Sequence, residues 1–412
     1  MRIFAKAKKN CMHDKVYIAG IGAISAIGQN VAETLESLKT SKHGVGPLEY
    51  IDTIYKDKIP FAEVKKTNDE LKAQLGIPAE KVITRTSLFG MIAAGEAVKN
   101  SGLDLSKYRC GIVSATSVGG MDLSERFYDE FFADNSAGNI EGIKGHDCAD
   151  STEHITDYLG IKDYLATIST ACSSSANSIM FGSRLIKNDI VDVVVAGGTD
   201  SLTRFTLNGF NTLMILDKNH CKPFDANRAG LNLGEGAGFV VLVSEKILKD
   251  LNKKPLAEVK GYGNANDAYH QTASSPEGQG AFLAMTKALE VSGLQPADID
   301  YINVHGTGTG NNDLSEGVAM KRIFGENIPL FSSTKPFTGH TLGAAGGVEA
   351  VISVLAIQNK LIFPNLNFSE PIPELEISPV TKLTEHCKVE NVLSNSFGFG
   401  GNNSTLIISA VK

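Results

Sequence analysis

The chain has 412 residues, 42% of them hydrophobic, and a formal net charge of -7 at pH 7. That is enough apolar material for one large core or two fused domains, and it excludes a disordered chain. The acidic balance leaves no basic footprint, which argues against nucleic acid as a partner.

Residues 1–15 read as a loose basic extension, with Met12 as an alternative start to Met1 and no apolar stretch of signal-peptide type. Residues 16–22 predict a short strand ending in glycines, followed by a helix over 31–38. Further strands are predicted at 111–114, 191–196, 239–243, 301–304 and 406–408, and helices at 86–100, 280–292 and 346–359. Strands alternating with helices predict an α/β protein with largely buried sheets. Residues 119–160 are polar and read as a surface excursion with short helices. No run is read as reaching the length of a membrane span, so membrane insertion is not expected. Six cysteines, at 11, 110, 148, 172, 221 and 387, form no C-x-x-C pair and no zinc spacing. They read as reduced thiols of a cytoplasmic protein without a metal site.

The chain also looks internally duplicated. Residues 16–22 and 257–263 are both apolar strands ending in Gly-x-Gly, and Ser169-Thr170-Ala171-Cys172 and Ser333-Thr334-Lys335 each precede a helix nearly apolar all round. Two related halves, 16–255 and 256–412, would bring the starts of these two helices to one place.

Four segments carry chemistry. Cys172 stands where an apolar run gives way to Ser173-Ser174-Ser175 and a helical pattern. A helix N-terminus there would stabilise a thiolate and make a nucleophile. His305 follows a buried strand and precedes Gly306-Thr307-Gly308-Thr309, whose hydroxyls can bond a ligand's amides. Lys335 and His340 flank a turn before the second apolar helix, and a helix start would favour a neutral His340. Asn395-Ser396-Phe397-Gly398-Phe399-Gly400-Gly401 reads as a loop able to aim N–H groups at an oxyanion. Each motif alone also fits an ordinary role: a buried apolar cysteine, a strand-end histidine, a capped helix, a tight turn. Together they fit acyl transfer through a thioester, with two neutral imidazoles holding an enolate and no metal or organic cofactor.

In the order and spacing of these motifs, from residue 16 to the end, the sequence resembles the β-ketoacyl-[acyl carrier protein] synthases, condensing enzymes of the thiolase superfamily, and above all the FabF/FabB type. The resemblance implies a thiolase-like α/β/α/β/α fold of two related halves. It implies condensation of an acyl group on Cys172 with malonyl-[acyl carrier protein], decarboxylation supplying the carbanion. It makes His305 and His340 the enolate-binding pair, Lys335 their electrostatic support and Glu316 a supporting acid. Backbone N–H groups of Cys172 and Phe399 become the oxyanion hole. Thr307 and Thr309 contact the phosphopantetheine arm and Phe399 gates the nucleophile; Thr272 is a candidate further arm contact, and Phe210 is either a wall of the acyl pocket or an ordinary core phenylalanine. Acyl carrier protein is the implied partner. A homodimer is implied, with a heterodimer of related subunits left open. The alternatives are a silent chain-length-factor-like subunit and a thiolase acting on coenzyme A esters, though the glycine loop has Phe399 rather than a cysteine. Asp150, Glu153, His154 and Asp157 depart from the apolar or small residues usual there, which points to a specialised chain as readily as to primary fatty-acid elongation.

Overall fold

The computed structural model describes residues 15–411. The alternative starts Met1 and Met12, Cys11, His13 and nearly all of the expected extension 1–15 lie outside the described residues.

Among the described residues, ten strands form one mixed sheet in two groups of five. The first group is β1 (Val16–Ser25), β2 (Cys110–Ala115), β3 (Tyr164–Ile168), β4 (Val193–Asp200) and β5 (Gly236–Ser244), ordered β3-β2-β4-β5-β1. The second is β6 (Ala257–Asn266), β7 (Tyr301–Asn303), β8 (Leu330–Ser332), β9 (Asn391–Gly398) and β10 (Asn402–Ser409), ordered β6-β10-β9-β7-β8. Read from its outer edge inward, the second group repeats the strand order of the first. The two meet edge to edge at β1 and β6, where Tyr17 pairs with Glu258 and Ile18 with Ala257.

Side-chain alternation makes the layers. Along β1, Val16 and Ile18 join one core cluster while Tyr17 and Ala19 join another. Along β10, Leu406 and Ile408 face one cluster and Ile407 a third. A sheet apolar on both faces needs helices on both, which is why its strands read as continuous hydrophobic runs. The Arg85–Ser101 helix covers the outer face of the first group, and the Gln279–Ser292 helix covers that of the second. Between the groups lie the Ser174–Lys187 and Ala345–Asn359 helices, each touching strands of both. The result is five layers, α/β/α/β/α.

The two central helices start side by side. A Cβ on Gly346 would stand 2.8 Å from the backbone N of Ala176, so only glycine permits this approach. Ser175 Oγ accepts the Gly347 N–H at 2.8 Å. The run Leu342–Asn359 is long and apolar enough to cross a bilayer, which the sequence reading missed, but 89% of it is buried inside the fold.

Candidate active site

Cys172 precedes the Ser174–Lys187 helix by two residues, after a kink at Ala171 with φ 52°. The turn is tied by Ser174 Oγ, which takes the Thr170 N–H at 2.8 Å and donates to the Ala171 carbonyl at 2.5 Å. Gly398 closes over it: a Cβ there would lie 2.9 Å from the Cys172 backbone N. From the sequence, the helix terminus favours a thiolate, with a buried apolar cysteine as the alternative. Burial instead pushes the Cys172 thiol up to about 12; Lys335 pulls it down, while Asp200 and Glu349 add to the rise. Desolvation outweighs one helix end, so the resting group is a thiol.

His305 and His340 face each other edge-on, with ring centroids 5.3 Å apart and an interplanar angle of 85°. Both are buried, and desolvation together with the Lys335 charge holds both imidazoles well below the usual 6.5. Both rings are therefore neutral. Lys335 Nζ lies 3.3 Å from His305 Nδ1 and donates to the His305 carbonyl at 2.6 Å. An ammonium beside Nδ1 makes that nitrogen the acceptor and leaves the proton on Nε2. His340 Nδ1 is buried without a hydrogen-bond partner among the described residues, a costly arrangement unless a ligand uses it. His340 stands two residues before the helical run that opens with a 3-10 turn over Leu342–Ala344 and continues as the Ala345–Asn359 helix, near a helix start as expected. It follows the short Lys335–Thr338 helix and Gly339 (φ 65°) and is bridged to Leu233.

The glycine-threonine loop after His305 is held by two buried acids. Glu316 accepts the N–H groups of His305 (2.8 Å) and Gly306 (2.9 Å), and Asn395 Nδ2 at 2.9 Å. Burial pushes the Glu316 carboxyl up to about 7. Asp313 accepts the N–H groups of Thr307 and Gly308. The loop thus turns its threonine hydroxyls together, Thr307 Oγ1 lying 3.0 Å from Thr309 Oγ1.

These groups meet at one cavity of about 250 Å³, lined by Cys172, His305, His340, Thr307, Thr309 and Phe399, with Phe210 and Thr272 also on its wall. Thr272 is exposed and takes its N–H bond to His270 Nδ1. Phe210 and Phe399 stack with centroids 5.7 Å apart. Lys335 and Glu316 stand behind the lining, acting through the groups they hold. Cys172, Phe210 and Phe399 also border a second, mostly apolar chamber of about 570 Å³ with Val118, Phe205 and Leu342. Cys172 therefore sits at the junction of a hydrogen-bonding chamber and an apolar one. Asp150, Glu153, His154 and Asp157 lie on the Cys148–Leu159 helix and line neither chamber.

A further expectation changes. Asn395, Ser396 and Phe397 belong to β9, and only the turn at Phe399–Gly401 is loop-like. Lys335 is buried and paired with Glu349 Oε1 at 2.5 Å. Sequence reasoning passed over Glu349. Its signal was a carboxylate in a helix otherwise buried from Ala345 to Ile357.

The chain matches the family profile for the β-ketoacyl synthase N-terminal domain over residues 13–246 and that for the C-terminal domain over residues 256–369. A 3-oxoacyl-[acyl-carrier-protein] synthase 2 of Staphylococcus aureus (strain COL) is 33% identical over 408 residues, covering 95% of this chain and 97% of its own. Among solved structures, the ishigamide ketosynthase/chain length factor aligns with TM-score 0.91 at 28% identity, covering 97% of this chain and 100% of that one. The ketosynthase ApeO in complex with its chain length factor ApeC from Xenorhabdus doucetiae aligns with TM-score 0.83 at 30% identity, covering 96% and 98%. These neighbours share the thiolase-like layering described above.

Proposed function

The chain belongs to the β-ketoacyl synthase family, and from that we propose how it condenses an acyl thioester with malonyl-[acyl carrier protein]. The observation that carries the assignment of roles is the meeting of Cys172, His305 and His340 at one cavity.

Cys172 Sγ attacks the carbonyl of an acyl-carrier thioester. The bond from that carbon to the arm sulfur breaks, and the arm leaves as a thiol with the proton that Cys172 gave up. Malonyl-[acyl carrier protein] then enters, its arm passing Thr272, Thr307 and Thr309. Its carboxylate departs as carbon dioxide and leaves the electron pair as an enolate. His305 donates from Nε2 to that oxygen and His340 supplies the second bond. Two neutral donors in a desolvated site stabilise developing charge without reorganising. The enolate carbon attacks the acyl-Cys172 carbonyl, whose oxyanion lies at the backbone N–H groups of Cys172 and Phe399. The sulfur departs as a thiolate and takes from solvent the one proton that the decarboxylation consumes overall. Every electron pair has a destination on these groups, so the scheme assigns no step to a metal or organic cofactor.

The apolar chamber takes the acyl chain, with Phe210 on its wall and Phe399 as the gate. The halves 16–255 and 256–412 then supply the nucleophile and the imidazoles respectively. A second copy of the chain is the proposed partner in a cytoplasmic dimer; five described cysteines are free, as a reducing compartment requires. A related subunit is the second reading, because two of the aligned structures pair a ketosynthase with a chain length factor. A silent subunit would have no use for the neutral imidazole pair beside Cys172.

An extension assay with malonyl carrier protein and a panel of saturated and polyunsaturated acyl carriers tests the reading. Products one two-carbon unit longer are expected, with Cys172→Ala abolishing them. A Cys172→Ala protein that elongates at the parent rate overturns the assignment.

A further inference from the structure

Asp200 ends β4 as a fully buried carboxylate that the scheme above does not use. It accepts hydrogen bonds from Thr116 Oγ1 (2.5 Å), Ser117 Oγ (2.7 Å) and the N–H groups of Ser117 (3.1 Å), Val118 (3.3 Å) and Gly343 (2.6 Å). Burial pushes this carboxyl above its ordinary range, and the donors Thr116, Ser117 and Gly343 pull it back by favouring the anion. No described lysine, arginine or histidine pairs with it. The donors come from two walls of the site. Ser117 and Val118 line the apolar chamber beside Cys172. Gly343 lies three residues after His340, and Leu342 between them lines the same chamber at φ 52°. A Cβ on Gly343 would stand 2.8 Å from Asp200 Oδ2 and 2.9 Å from the Ser117 N, so the three segments are packed without slack.

We propose that Asp200 is a positioning residue of the condensation site: its buried carboxylate clamps the 116–118 wall of the apolar chamber to the turn after His340, and sets a negative charge behind the chamber that Cys172 borders. This rests on Cys172 being the acylated residue. The charged and titratable groups around that sulfur divide. Lys335 favours a thiolate; Asp200 and Glu349 oppose it. The imidazoles of His305 and His340 share its cavity and are neutral. A thiol that is not ionised at rest resists stray electrophiles and oxidants.

Iodoacetamide alkylation of Cys172, followed by peptide mass spectrometry across neutral to strongly alkaline pH, tests this on the whole protein. Asp200→Asn removes the charge and is expected to move the alkylation profile about one unit toward acid, about tenfold in rate at fixed pH. Ser117→Ala removes one donor and keeps the charge. Its alkylation profile stays with the parent, while kcat falls several-fold at unchanged KM for malonyl carrier protein. An Asp200→Asn profile superimposed on the parent's, or a Ser117→Ala protein with the parent kcat, overturns the proposal. Alkylation needs no turnover, so a parent chain without condensing activity would defeat the proposed function and still leave the Asp200 comparison readable.

Discussion

Cys172 carries two opposing influences, a helix start that favours the thiolate and a desolvated setting that forbids it. Burial wins, with the thiol pushed up to about 12. Alkylation of the parent should therefore climb with pH well beyond neutrality; a plateau near neutral pH would restore the thiolate first read from the sequence. The imidazoles differ in being set for use at rest. Replacing His340 by alanine removes one enolate donor and should lower condensation by about 10²–10³. Acyl transfer to Cys172 should persist in that variant, and its loss would mean that His340 serves the first half-reaction. Cys172 and both histidines were legible because their residue types are chemically specific. Asp200 and Glu349 were not, because an acid inside an apolar run shows its purpose only when its partners come from distant segments.

At the scale of elements, the glycine-threonine loop and the long central helix each depend on a buried acid. Glu316 ionises only above about 7, since burial disfavours its charge. As pH falls through that value the carboxylate takes a proton and its grip on the His305 and Gly306 N–H groups weakens. The folded state binds this proton more tightly than the unfolded chain does. Acid therefore stabilises the fold through Glu316 while loosening the site. Condensation should show an acid limb near 7 that Glu316→Gln removes. An acid limb near 7 that survives Glu316→Gln would put the titration on another group, since both imidazoles are held well below 6.5. Lys335 and Glu349 form a buried pair at 2.5 Å. Glu349→Leu alone strands the lysine and should cost about 3–5 kcal/mol in urea unfolding, whereas Lys335→Met with Glu349→Leu should recover most of it. A double variant as unstable as the single one would show that the pair is not the source of the cost. Residues 395–398, the end of the Asn391–Gly398 strand, read as loop in the sequence because their polar side chains satisfy buried partners, such as Thr405 with Asn395, rather than facing solvent.

For the whole molecule, the duplicated strand order places two helix starts against one another, and the site forms where they meet. The weak likeness of residues 16–22 to 257–263 hinted at this, since both begin the first strand of a five-strand group. The edge-to-edge joining of the groups left no sequence mark. Nor did the outer surface of the Met121–Ala133 helix, where Tyr128 is 58% and Phe132 74% exposed. Apolar rings presented together on one helix fit a subunit contact. Light scattering should give the mass of two chains for the parent, and Phe132→Asp should shift it toward one with an unchanged circular dichroism spectrum. A parent that scatters as a single chain contradicts the proposed dimer. The central claim is a sulfur that holds an acyl group beside two neutral imidazoles. Peptide mass spectrometry after incubation with an acyl carrier thioester, before and after a chase with malonyl carrier protein, addresses it most directly. The acyl mass should appear on Cys172 and vanish in the chase as extended product forms; an acyl group found on another residue, or one that the chase leaves in place, would contradict the account.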